Sequence, residues 1–208
     1  MRSILVLSGK GGCGKSTVAT NLAAAFAASG RRTGLAEMDR QKSSAGWLAA
    51  RPPSVPRIEG LDWRHERADP PRGLERLVID VSAGLRIGSI EGLLHEADFL
   101  LMPVLPSPFD ESSTHRLVRR LAELKPIRRE RIRLCLLANR VRPRSRAARR
   151  QAEFLAGLGH PVLASLSDRA VYAELAGRGL GLFDLKTPAT EAGRAEWAPL
   201  LRTLDAPD

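Results

Sequence analysis

The sequence predicts an α/β protein with a mostly parallel sheet covered by helices on both faces. Three observations lead there. Short apolar runs alternate with helical patterns along the 208-residue chain. The apolar runs are continuous rather than alternating, as strands buried on both faces require. A glycine-rich turn, Gly9 to Gly14, joins the first apolar run to the first helical pattern.

The elements follow in order. Ile4-Leu5-Val6-Leu7 reads as a buried strand, and Val18 to Ala28, rich in Ala and Leu, as a helix. Thr33 to Glu37 is the second strand. Residues 51–73 are interrupted by Arg51-Pro52-Pro53 and Asp69-Pro70-Pro71, which disfavours regular structure. Within them Leu61-Asp62-Trp63 reads as a short edge strand. Leu74 to Val81 is a strand in which Leu77-Val78-Ile79 runs into Asp80. Further strands are read at Phe99 to Leu105, Ile132 to Ala138 and Pro161 to Leu166. Helices are read at Ile87 to His95, Glu111 to Leu124, Arg146 to Leu158, Arg169 to Gly177 and Ala189 to Leu204. With no internal repeat and no boundary signal, residues 1–208 read as a single domain.

Composition narrows the function classes. The 43% hydrophobic content suits a globular core. No apolar run approaches the ~18 residues of a membrane helix. Met1-Arg2-Ser3 leads straight into a strand, so no signal-peptide pattern is expected. Cys13 and Cys135 offer no disulfide framework and read as reduced thiols of a cytoplasmic protein, without a redox role. His65, His95, His115 and His160 are scattered and are assigned no ligand role. Ser112, Ser113 and His115 are helix-cap material rather than a hydrolase triad.

The net charge of +10 is concentrated. Between Arg128 and Arg150 lie ten arginines and one acid, Glu130, and the rest of the chain is nearly neutral. A block of this density suits a polyanion partner. It contains no aromatic residue, which disfavours a platform that stacks single-stranded bases.

Residues 9–17 match G-x-x-x-x-G-K-[ST], the phosphate-binding P-loop, with a strand before it and a helix after it. In that arrangement Gly11, Gly12, Cys13 and Gly14 present backbone N–H groups to a polyphosphate at a helix N-terminus. Lys15 neutralises the β/γ-phosphates, and Ser16, followed by Thr17, supplies the hydroxyl for Mg²⁺. The expected fold is therefore a P-loop NTPase that takes ATP and Mg²⁺. Only five of the 33 basic residues are lysines, and two of those, Lys10 and Lys15, fall in this loop. Open α/β sheets bind ligands at the carboxyl ends of their strands. Asp39, Asp80 and Asn139, each at the end of an expected strand, are the next candidates; Asp80 has the apolar preface of a Walker B acid.

The two-lysine loop resembles the deviant Walker A box of the ParA/MinD family of ATPases. Glu37-Met38-Asp39-Arg40-Gln41 resembles that family's D-x-D-P-Q segment, and Leu77-Val78-Ile79-Asp80-Val81-Ser82-Ala83-Gly84 its Walker B strand and following loop. Met102 to Asp110 is similar to the proline-rich strand end of short plasmid-partition ATPases. The likeness runs from Met1 to about Leu204, and is greatest to small ParA proteins without an N-terminal DNA-binding extension. It implies that Lys10 reaches across a dimer interface to the partner's ATP, that Asp80 supports Mg²⁺ through water, and that Asp39 orients or activates the attacking water. It also implies adenine contacts for Asn139 and the segment around Ser167-Asp168. Glu37 and Arg40 depart from the pattern, and Arg40 places a positive charge beside Asp39.

The expected protein is an ATP-dependent homodimer with slow hydrolysis, stimulated by an unidentified cargo adaptor. It binds double-stranded DNA non-specifically through Arg140, Arg142, Arg144, Arg146, Arg149 and Arg150. It would position a plasmid, a chromosome region or a large protein assembly on the nucleoid. Three other readings are weighed. A MinD-like membrane ATPase needs a basic amphipathic tail, whereas Glu196 to Asp208 is interrupted by Pro199 and ends acidic. A small-molecule ligase or kinase has no use for ten clustered arginines. A metal-cluster carrier needs a Cys-x-x-Cys pair, which Cys13 and Cys135 do not form.

Overall fold

The computed structural model describes residues 1–206; Pro207 and Asp208, the acidic end of the tail, lie outside the described residues. Seven strands, β1 (Arg2–Val6), β2 (Thr33–Glu37), β3 (Glu59–Asp62), β4 (Arg76–Asp80), β5 (Phe99–Val104), β6 (Arg133–Val141) and β7 (Val162–Ser167), form one sheet in the order β3-β2-β4-β1-β5-β6-β7. Every pairing is parallel. The α/β architecture expected from the sequence is therefore the one adopted.

Eight helices cover the sheet: α1 (Lys15–Ala28), α2 (Ser43–Ala49), α3 (Ile87–Leu94), α4 (Pro108–Ala122), α5 (Lys125–Arg128), α6 (Arg146–Ala156), α7 (Val171–Ala176) and α8 (Pro188–Asp205). A 3₁₀ turn spans Leu182–Asp184. Strand residues alternate between two cores. Ile4, Val6, Val78, Leu101 and Leu137 pack with α1 and α8 on one face. Leu5, Leu7, Ile79, Leu100 and Leu136 pack with α3, α4 and α6 on the other. Both halves of the period-2 alternation are apolar, which is why the strands read as unbroken runs.

Helix α1 is buried almost all round, and its polar residues are satisfied locally. Thr20 Oγ1 donates to the Ser16 carbonyl at 2.8 Å. Asn21 donates to Thr17 O at 2.8 Å and accepts from Leu182 N at 2.8 Å, fastening the 3₁₀ turn to α1. The Pro-rich segment is anchored by Arg51, which forks onto Asp184 at 2.7 and 2.8 Å. The expected edge strand is present as β3.

Three differences from the sequence reading have physical causes. Helix α1 begins at Lys15, three residues early, because Gly14 in the left-handed region serves as its N-cap. Helix α4 begins at Pro108, where a missing N–H costs nothing. Strand β6 extends to Val141 with a register shift against β7 after Ala138, so Asn139 lies inside a strand rather than beyond one. Helix α8 runs through Pro199, as the expected helix from Ala189 to Leu204 does: the proline is exposed, while Trp197, Leu200 and Leu204 are buried on the opposite side. Its apolar face thus belongs to the core.

Candidate nucleotide-binding site

Parallel pairing brings all strand C-termini to one edge. The registers Val6↔Asp80 and Glu37↔Asp80 set three strand ends side by side. The loop after β1 opens at this edge, at the middle of the sheet. Gly12 (φ 82°) and Gly14 (φ 90°) take left-handed conformations. A Cβ at Gly14 would meet the Asn139 amide nitrogen at 2.6 Å. That nitrogen donates to the Cys13 carbonyl at 2.7 Å, and Ser8 Oγ donates to Lys10 O at 2.6 Å. These two hydrogen bonds hold the shape of the loop. Helix α1 has no side-chain cap and no acid in its first turn, which leaves its N-terminus open to an anion. Lys15 is held at the base of the loop with 7% exposure, and Ser16 and Thr17 follow it in the first turn. Burial pushes the Cys13 thiol up, so it stays protonated and inert.

Asp80 ends β4 with no exposed surface. Its Oδ2 accepts a 2.6 Å hydrogen bond from Ser44 Oγ, and its Oδ1 has no partner. Burial raises its pKa to about 6, against the opposing pull of Ser44, Ser16 and Lys15. A buried carboxylate with an orphaned oxygen beside a P-loop serine suits Mg²⁺ or a magnesium-bound water, so these residues fit the expected metal.

Glu37 is also buried, and both its oxygens are used. Oε1 accepts from Asp39 N at 2.7 Å; Oε2 accepts from Ser44 N at 2.8 Å and Ala45 N at 3.2 Å. It therefore shapes the Asp39 turn and caps α2. Asp39 is half-buried, and its Oδ1 accepts from Gln41 N at 3.0 Å. Arg40 is exposed. Lys10 is exposed as well, with its ammonium 5.6 Å from the ring of Phe109, itself 78% exposed at the start of α4.

A cleft of about 390 Å³ continues from the loop, lined by Thr17, Asn139, Ser167, Asp168, Tyr172 and Trp197, among others. Asn139 and the segment at Ser167-Asp168 therefore line one cavity. The Asn139 amide nitrogen, however, is already committed to the P-loop carbonyl.

All ten arginines of the basic segment are exposed, but they do not form one patch. Arg128, Arg129, Arg131 and Arg133 precede or open β6, whereas Arg140 is its penultimate residue and Arg142, Arg144, Arg146, Arg149 and Arg150 follow its carboxyl end. A nine-residue strand at ~3.3 Å per residue separates the two groups by roughly 25 Å. Six arginines thus share the edge that carries the P-loop. Arg140 also lines the cleft. Arg142 is 3.8 Å from Asp168, and Arg150 is bound to buried Glu111 at 2.7 Å. Arg146, Arg149 and Arg150 lie on one face of α6, opposite buried Gln151 and Leu155.

Ser44, bonded to Asp80, and Tyr172, in the wall of the cleft, escaped the sequence reading as site residues. Their signal is a polar side chain bonded inside the fold, which a single sequence does not display.

Comparisons with known proteins give the family and the fold. The CobQ/CobB/MinD/ParA nucleotide binding domain (CbiA) matches residues 4–183. Maintenance of carboxysome distribution protein A of Halothiobacillus neapolitanus is 30% identical over 206 residues, covering 88% of this chain and 87% of that protein. The MinC:MinD cell division protein complex of Aquifex aeolicus matches with a TM-score of 0.72 at 16% identity, over 100% of this chain and 98% of that one. An ATP complex of Cyanothece McdA matches with a TM-score of 0.70 at 14% identity, over 96% of each chain. At such identities the two structures speak to the fold alone.

Proposed function

This chain belongs to the CobQ/CobB/MinD/ParA family of nucleotide-binding domains, and from that premise we propose an ATP-dependent dimerising ATPase that binds DNA non-specifically and positions a cargo on the nucleoid. The observation that carries the reading is the single sheet edge shared by the two-lysine P-loop, Asp80 and six exposed arginines.

In this reading Lys15 and the amides from Gly11 to Thr17 hold the β- and γ-phosphates. Ser16 and Asp80 hold Mg²⁺, which neutralises charge on the phosphates when bound. Asp39, held in its turn by Glu37, orients the attacking water. Lys10 extends to the nucleotide of a second copy and offsets the repulsion between two facing ATP molecules. Hydrolysis then loosens the dimer. Dimerisation doubles the arginine surface, so DNA affinity follows the ATP state through avidity. Contacts to phosphates alone give no base readout, which matches a protein that rides on bulk DNA.

The similarity to a carboxysome distribution protein supports a large protein assembly as cargo. A cargo-bound adaptor that stimulates hydrolysis and a cytoplasmic, nucleoid-associated location belong to the same reading. No helix among the described residues is long and apolar enough to cross a membrane, and the apolar face of α8 is packed in the core.

Light scattering with ATP·Mg²⁺ tests the dimer. The wild-type chain doubles in mass with ATP and returns to the monomer with ADP, while Lys10→Ala binds ATP and stays monomeric. An ATP-induced dimer of Lys10→Ala contradicts the cross-interface role.

A further inference from the structure

Among the described residues strand β7 is the last strand of the sheet, so one side of it has no neighbouring strand there. Its inner side pairs with β6 up to Val141↔Ser167, and Asp168 N still donates to Val141 O at 2.9 Å. The Ser167 N–H points the other way. There it meets the carboxylate of Glu196, on α8, at 2.8 Å. The same carboxylate accepts the Ser167 hydroxyl at 2.7 Å and the Arg169 guanidinium at 2.6 Å. One side chain on the C-terminal helix thus satisfies the edge of β7 and the start of the following loop.

That loop is a wall of the cleft beside the P-loop: Ser167, Asp168 and Arg169 line it together with Thr17 and Asn139. The next residue of α8 completes the wall. Trp197, fully buried, donates its indole N–H to the Tyr172 hydroxyl at 2.8 Å, and both rings line the cleft. Burial holds the Tyr172 hydroxyl protonated, with its pKa pushed up to about 12. Two adjacent residues of α8 therefore set the shape of the cavity that follows the phosphate loop, without belonging to that loop.

We infer that Glu196 is a positioning residue for the nucleobase, fixing the Ser167–Arg169 loop so that the cleft accepts the base of a bound nucleotide. This rests on the reading that the cleft is the base subsite of the ATP site. Phosphate binding depends on residues 9–17 and does not involve α8. Glu196 consequently governs the part of the affinity contributed by the nucleoside and leaves the polyphosphate part alone. The ion pair between Arg169 and Glu196, whose side chains are 32% and 20% exposed, is partly screened by solvent and is the smaller part of this. The larger effect of losing Glu196 is an unsatisfied Ser167 N–H and a loop free to leave its place.

Calorimetric binding of ATP and of inorganic tripolyphosphate, each with Mg²⁺, separates these parts. Glu196→Ala is expected to weaken ATP about tenfold, the equivalent of one lost hydrogen bond to a charged group. Tripolyphosphate affinity is expected to stay within about twofold, far below the factor of ten that 1.4 kcal/mol represents. Glu196→Gln, which keeps an acceptor for Ser167 N, recovers most of the ATP affinity. Ser167→Ala, which removes one donor and keeps the carboxylate, gives a smaller loss of the same selective kind and serves if Glu196→Ala does not fold. Equal losses for both ligands, or no loss for either, overturn the role of Glu196. A wild-type chain that binds tripolyphosphate as tightly as ATP overturns the base-subsite reading itself, and the positioning role falls with it.

Discussion

Ser44 donates a 2.6 Å hydrogen bond to Oδ2 of Asp80, both side chains are wholly buried, and Oδ1 of the same carboxylate has no partner. The fold therefore places a buried acid with one bonded and one unbonded oxygen at the end of its fourth strand. Burial raises the Asp80 pKa from 3.8 to about 6, so its ionised form is disfavoured in the folded chain. The sign follows: the folded state binds this proton more tightly than the unfolded state does. The contribution is fully present below pH 3.8, shrinks between 3.8 and 6, and is gone above that. Ionising Asp80 costs the metal-free fold about 3 kcal/mol at neutral pH, by linkage.

Asp80→Asn removes that cost. In metal- and nucleotide-free protein the variant should melt higher than wild type at pH 7.5, by roughly 3 °C per kcal/mol recovered. The advantage should fall by about half at pH 5. The same variant should lose the Mg²⁺-dependent part of ATP affinity. Thermal melts at two pH values and ATP titrations with and without Mg²⁺ check both arms; an Asp80→Asn chain that melts below wild type at pH 7.5 contradicts the account of this acid.

Lys15 is buried at the first turn of α1, which follows the glycine loop. Lys15→Ala should reduce ATP affinity by about a hundredfold, the scale of a charge-assisted phosphate contact, while the fold remains. Retained affinity in a titration removes the P-loop assignment.

The two arginine groups lie at opposite ends of β6 and should behave differently. Changing Arg142, Arg144, Arg146 and Arg149 together to Glu should abolish binding to duplex DNA and leave ATP-driven dimerisation intact. Changing Arg128, Arg129, Arg131 and Arg133 together to Glu should cost far less. Fluorescence anisotropy on a random-sequence duplex separates the two sets, and equal losses place the footprint elsewhere.

Arg150 is a different case, because it neutralises buried Glu111 through Nε at 3.1 Å and Nη2 at 2.7 Å. Removing it leaves that carboxylate unpaired. Arg150→Ala should destabilise the fold by about 1–3 kcal/mol, while Arg149→Ala stays within about 0.5 kcal/mol. Urea melts of the two variants measure the gap.

The inner strands β1, β2, β4, β5 and β6 were legible because they are buried on both faces, and the P-loop because its chemistry fixes residue types at fixed spacing. Leu77 to Asp80 and Gly9 to Thr17 carry their structure in the chain itself. Helix α2 was not legible: Ser43–Ala49 is seven residues long, contains Gly46, and is capped by Glu37, six residues before its first residue. Helix α5, at four residues, is too short for periodicity to register. The wall formed by Ser167, Tyr172, Glu196 and Trp197 joins residues 29 and 25 positions apart, and neither spacing follows a local period. The basic segment was legible as a block but not as two patches, since its division depends on the direction of β6.

Binding of a random-sequence duplex, measured without nucleotide, with ADP and with ATP·Mg²⁺ at two salt concentrations, tests the central claim most directly. The account predicts binding only with ATP·Mg²⁺, independent of sequence, with log affinity falling by roughly 0.9 per phosphate contact for each tenfold rise in salt. Absence of binding in all three nucleotide states at both salt concentrations would contradict it and leave the arginines of α6 as a solvated surface.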